Sequence, residues 1–189
     1  GNISHRSDYF EVFLRLGINV FAFDYRGYGL SGGRPSEDGT YLDAVAACLW
    51  LQGKGFPPGN IIAFGESLGG AVATELATRY PLAGIILQSS FTSVPALGAE
   101  LFPWLPIKLI STIRYDTRSK LPGLKCPVLI MHSRADSIVG YHHAEKNFAA
   151  ANEPKILCEL SGDHNEVLHS DWERYRRGLE DFLKLVKTQ

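Results

Sequence analysis

The sequence predicts a doubly wound α/β domain on a mainly parallel sheet. Three observations carry this. Short, near-continuous apolar runs recur along the chain, as expected of strands buried on both faces. Longer amphipathic segments separate them, and regular strand–helix alternation gives this layered architecture. A glycine-rich turn, Gly65-Glu66-Ser67-Leu68-Gly69-Gly70, lies between one such run and one such segment.

Residues 5–16 read as a helix and residues 18–23 (INVFAF) as the first buried strand. Asp24-Tyr25-Arg26-Gly27-Tyr28-Gly29-Leu30-Ser31 follows as a sharp loop, in which Asp24 and Arg26 supply local hydrogen bonds. Tyr25 is a candidate substrate-binding residue there. Ser36 fits an N-cap for a helix over 38–53. A strand over 61–64, a helix over 68–79 and a strand over 84–87 come next. Residues 91–117 break the rhythm. They are rich in proline and aromatics and read as a cap-like excursion over the carboxyl edge of the sheet, with Phe102 and Trp104 as candidate substrate contacts. A strand over 128–132, a helix over 141–151, a strand over 156–160 and a helix over 171–187 complete one domain spanning residues 1–189.

The Gly-x-Ser-x-Gly turn is a nucleophile elbow. The serine must stand on a tight strand-to-helix turn with its hydroxyl out of the sheet, so its neighbours must be small. Ser67 is therefore the candidate nucleophile, and the N–H of Leu68, first in the following helix, is a candidate oxyanion donor. A serine needs a base. His164, in Ser161-Gly162-Asp163-His164-Asn165, follows the last strand and so faces the same sheet edge, with His169 as its rival. His5 precedes the elbow, His132 reads as a buried structural residue, and His142 and His143 read as solvent-facing helix positions. The acid that orients the base should follow a strand between the two. Asp136 does so, ahead of Asp116 and Asp163.

Other chemistries find no support. Nineteen basic against 20 acidic residues give a formal net charge of −1, with no basic block for nucleic acid or an anionic membrane. No zinc spacing, Walker lysine loop or dinucleotide fingerprint occurs, so neither a metal nor a cofactor is expected. No signal peptide or membrane-spanning segment is evident. Cys48, Cys126 and Cys158 read as buried free thiols of a reducing, cytoplasmic setting.

In that order, the run from Asp24 to Gly33, the elbow at Ser67, the acid loop at Asp136 and the Gly-Asp-His at His164 resemble the α/β-hydrolase superfamily. Within it they are similar to the serine aminopeptidase-like and dienelactone-hydrolase-like group and to the protein-depalmitoylating hydrolases. The resemblance implies cleavage of an ester, thioester or amide in an acylated or small-molecule substrate, through an acyl-enzyme and without a cofactor. It also implies that Gly1-Asn2-Ile3-Ser4-His5-Arg6 is the tail of a His-Gly-x-x-Gly-Asn segment, so that N-terminal strands and a second oxyanion donor belong to a longer parent. Relatives with aspartate at the elbow perform dehalogenase or epoxide chemistry, which Ser67 opposes. The alternative is a non-catalytic binding protein on the same scaffold.

Overall fold

A computed structural model describes residues 2–187. The chain divides into two compact units, Gly1–Gly55 and Phe56–Gln189.

The first unit holds helix α1 (Ser7–Arg15), preceded by a 3-10 turn over Ile3–Arg6, and helix α2 (Glu37–Gly53). Ser36 caps α2 by accepting from the N–H of Gly39 at 3.1 Å, as its sequence predicts. The expected strand over 18–23 does not form. The segment makes no ladder hydrogen bonds and none of its residues is buried. A strand is stable only when paired, and among the described residues none forms a ladder or bridge with this segment. Its aromatic side chains stack instead, Phe21 lying 4.8 Å from the Trp50 ring of α2. The Asp24–Ser31 loop is architectural. Asp24 accepts from the Ile3 N–H at 2.8 Å, and Arg26 makes a forked contact with Asp43 of α2, the shorter arm 2.7 Å. Tyr25 packs edge-on against Phe23 at 5.4 Å and Tyr28 at 6.4 Å.

The second unit is a four-stranded parallel sheet in the order β1-β2-β3-β4, comprising β1 (Ile62–Glu66), β2 (Gly84–Gln88), β3 (Val128–Ser133) and β4 (Lys155–Leu160). Every residue of β2 and β3 is buried, so both faces of the central strands are covered, as their unbroken apolar runs require. β1 and β4 are the edges. Helices α3 (Leu68–Arg79), α6 (His142–Ala150) and α8 (Trp172–Lys187) match the expected helices. Packing is tight where helix meets strand: a Cβ on Gly84 would lie 2.7 Å from Cζ of Phe182, which is fully buried. The excursion after β2 contains α4 (Val94–Leu101) and α5 (Ile107–Ile110), and α7 (Val167–Ser170) precedes α8. Backbone hydrogen bonds from Val94 to Arg114 at 2.8 Å and from Thr117 to Thr92 at 3.0 Å close the excursion at its base.

Candidate active site

Ser67, Asp136 and His164 follow β1, β3 and β4 respectively, so all three lie at the carboxyl edge of one parallel sheet. Loops at this edge are where ligands bind in such folds.

The elbow is strained and held from outside. Ser67 has φ 54° and ψ −116°, a conformation L-residues seldom adopt. Its N–H donates to the carbonyl of Gln88 at 2.8 Å, and its carbonyl accepts from the Ser90 hydroxyl at 2.9 Å. Both partners come from the end of β2 and the residues just past it. A Cβ at Gly65 would run into the Gly69 carbonyl, and one at Gly70, just past the motif, would run into Ser90, so the turn needs glycine at both places. α3 begins at Leu68, whose N–H lies in the first turn, where no intrahelical acceptor exists.

The expected contact between His164 and Asp136 is present. His164 and Asp136 are 6% and 8% exposed, and Nδ1 of the imidazole lies 2.7 Å from Oδ2 of the carboxylate. The other oxygen, Oδ1, accepts from the backbone N–H groups of Ile138 at 2.9 Å and Val139 at 2.7 Å. Burial acts to raise the pKa of Asp136. Hydrogen bonds from His132, His164 and the Val139 N–H outweigh it and hold the carboxyl well below its ordinary range. Burial likewise acts to lower the pKa of His164, but the Asp136 hydrogen bond and charge, with Glu66 and Asp163 adding to them, leave it raised. A carboxylate fixed on Nδ1 places the reactive lone pair on Nε2.

Two supports of this pair are not readable from the motifs. His132 is buried as expected, yet its Nε2 lies 2.7 Å from the Val139 carbonyl and 3.3 Å from Oδ2 of Asp136, so its N–H also serves the acid. Asp163 does not bind the imidazole. Its Oδ1 accepts from the Ser137 N–H and hydroxyl at 2.9 and 2.7 Å and from the His164 N–H at 2.7 Å, tying the acid loop to the histidine loop. The Ser133 hydroxyl, donating to the Gly162 carbonyl, is a second tie. The only sequence signal for these supports is their closeness to Asp136 and His164.

Of the rival candidates, His169 is exposed on α7, and Asp116 accepts from the Ser119 N–H at 3.0 Å. Phe102 and Trp104 are 45% and 72% exposed and pack edge to face at 5.7 Å. Cys48 is buried, but Cys126 and Cys158 are only partly so.

A further expectation is overturned. His143 does not face solvent: it is fully buried, and its Nδ1 accepts from the Thr92 N–H at 3.1 Å. Covering a position on a surface helix requires the excursion, which sequence periodicity does not register. Glu100 of α4 meets Nε2 of His142 at 2.9 Å and of His143 at 3.2 Å, and the three could in principle hold a metal ion. The Thr92 contact argues otherwise. It puts the proton of neutral His143 on Nε2, facing Glu100, so no lone pair is left there for a metal. Burial, opposed by Glu100, keeps the His143 pKa lowered and the ring neutral.

Residues 1–121 match the family described as serine aminopeptidase, S33. An uncharacterized protein of Mycobacterium tuberculosis is 41% identical over 168 residues, covering 88% of this chain and 60% of that protein. Alpha/beta hydrolase domain-containing protein 17B of Homo sapiens is 32% identical over 184 residues, covering 97% of this chain and 61% of that protein. The chain thus spans about three fifths of the length of these relatives. In fold it is similar to a Pyrococcus furiosus esterase, with TM-score 0.77 and 23% identity over 96% of this chain and 75% of that one. The chain belongs to the serine aminopeptidase S33 family of the α/β-hydrolase superfamily.

Proposed function

We propose that this chain carries the catalytic residues of a serine hydrolase that cleaves an ester, thioester or amide through an acyl-enzyme. The observation that carries the reading is the buried His164–Asp136 contact of 2.7 Å at the sheet edge that also bears Ser67 on its positive-φ turn. Few structural needs explain a buried imidazole–carboxylate pair braced by two backbone N–H groups at the same sheet edge as a strained serine. Family membership supports the same reading.

In this mechanism the Ser67 hydroxyl oxygen attacks the substrate carbonyl as Nε2 of His164 takes its proton. Asp136 keeps the tautomer and stabilises the imidazolium, without itself taking the proton. The Leu68 N–H donates to the oxyanion. Collapse of the tetrahedral adduct breaks the bond to the leaving group, which receives the proton from His164. Water then repeats the sequence on the acyl-enzyme, releasing the acid and restoring Ser67. The partner is an acylated or small-molecule substrate, and the chemistry calls on no cofactor. The three cysteines are free thiols, which supports a reducing, cytoplasmic setting.

Labelling with a fluorophosphonate probe tests the reading. The wild-type chain should label and Ser67→Ala should not. Absence of labelling in a folded sample would instead favour a binding protein on this scaffold.

A further inference from the structure

The tip of the excursion after β2 is apolar and exposed. Leu101, Phe102, Trp104, Leu109, Ile110 and Ile113 are 43–86% exposed, all within thirteen consecutive residues. Isolated exposed apolar residues are ordinary, but a run of this kind marks a docking surface. We propose that this tip seats the protein on the surface of an anionic lipid bilayer, lying in the interface without crossing it.

Three features select lipid. First, charge: residues 101–115 contain no carboxylate, while Lys108 and Arg114, the latter already engaged in an interaction, are exposed among the apolar side chains. The acids flanking the tip are engaged at its base, Glu100 by His142 and His143 and Asp116 by the Ser119 N–H. Apolar and aromatic side chains with cations alone fit a negatively charged headgroup layer. Second, the backbone: N–H groups entering a membrane interface need partners. Here Phe102, Leu105, Ile107, Leu109, Ile110 and Ser111 already donate within the segment, and Pro103 and Pro106 have no N–H. Third, form: every residue from 101 to 106 is exposed, on a loop closed at its base, which gives a protruding tip. No helix among the described residues is long and apolar enough to cross a membrane, in keeping with an interfacial contact. Because the excursion leaves the carboxyl end of β2, docking would turn the sheet edge that bears Ser67 towards the bilayer.

Vesicle sedimentation tests this, using the 189-residue chain with phosphatidylcholine vesicles and with vesicles containing one fifth phosphatidylserine. Wild type should sediment with the anionic vesicles. Its Trp104 emission should shift to the blue, a change lost in Trp104→Phe. The double variant Leu109→Glu/Ile110→Glu should bind on the order of tenfold more weakly or worse. Both positions are exposed, so its thermal melt should match wild type, which separates a docking defect from misfolding. Wild type that fails to sediment with the anionic vesicles, or a double variant that sediments equally well, would overturn the proposal. So would a wild-type dimer in gel filtration that the double variant abolishes, since a second copy would then own the tip. None of these readouts depends on catalysis, so the proposal and the hydrolase reading fail separately.

Discussion

Replacing Asp136 by asparagine separates what its two oxygens do. In the folded chain Oδ1 accepts from Ile138 and Val139, and Oδ2 faces Nδ1 of His164. The carboxamide oxygen can keep the first pair, but its NH2 then meets a ring nitrogen that also carries a proton. Either the contact is lost or the imidazole changes tautomer, moving its proton to Nε2. Losing a hydrogen bond to a charged group costs about 2 kcal/mol, which in a domain this size lowers Tm by about 4–8 °C. Asp136→Ala should cost about 1 kcal/mol more, since it strips the acceptor from the Val139 N–H, which is fully buried, whereas Ile138 is exposed enough for water to substitute. The ring of His164 should also respond. With the carboxylate gone, burial becomes its dominant influence, so its pKa should move from above the ordinary imidazole value to below it. A histidine titration followed by NMR reads this directly. Turnover of a simple ester should fall about 10⁴-fold in Asp136→Asn, roughly 5 kcal/mol of barrier. An unchanged His164 titration together with a wild-type melt would refute the account of the pair.

Three more expectations follow from the same geometry. Gly65→Ala should destabilise the elbow by about 1–3 kcal/mol, read by chemical denaturation, and should abolish probe labelling, because the new methyl group overlaps the Gly69 backbone. Tyr175→Phe removes a buried 2.7 Å hydrogen bond to Oε1 of Gln88 and should cost about 1–2 kcal/mol in the same assay, leaving the pH profile of ester turnover in place. In wild type, Asp136 has its pKa lowered on folding, so the stability it contributes is present above the ordinary carboxylate value and lost as pH falls below it. His164, raised on folding, contributes below the ordinary imidazole value and loses that contribution as pH rises through its folded pKa. Calorimetric melts should therefore fall steeply in acid, and ester turnover should show an acid limb above the ordinary histidine value, since only neutral His164 can act as base.

Local signals account for what the sequence made legible. The N-cap at Ser36, the elbow glycines and the apolar runs of β2 and β3 each declare a short-range demand that a reader can check residue by residue. Chain order together with strand-following loops was enough to pair Asp136 with His164. Illegible were the features fixed by partners distant in sequence. Residues 18–23 have the composition of a strand, but composition does not supply a neighbour to pair with. α4 and α5 are eight and four residues long among prolines, too short for periodicity to show. His143 looks like a surface position on α6 until Thr92 and Glu100 are brought against it from 51 and 43 residues away. The Asp163 tie likewise spans 26 residues to Ser137.

The contacts that hold Ser67 reach 21 and 23 residues down the chain, to Gln88 and Ser90. Locally the turn has the Gly70 N–H on the Ser67 carbonyl at 3.1 Å, which leaves the Ser67 N–H unheld, so β1 and α3 alone would relax it. The Ser67 geometry therefore depends on the pairing of β1 with β2 and is erased by any opening of that pair. Slowed hydrogen exchange at the Ser67 amide would serve as a clock for the moment at which the chain becomes competent.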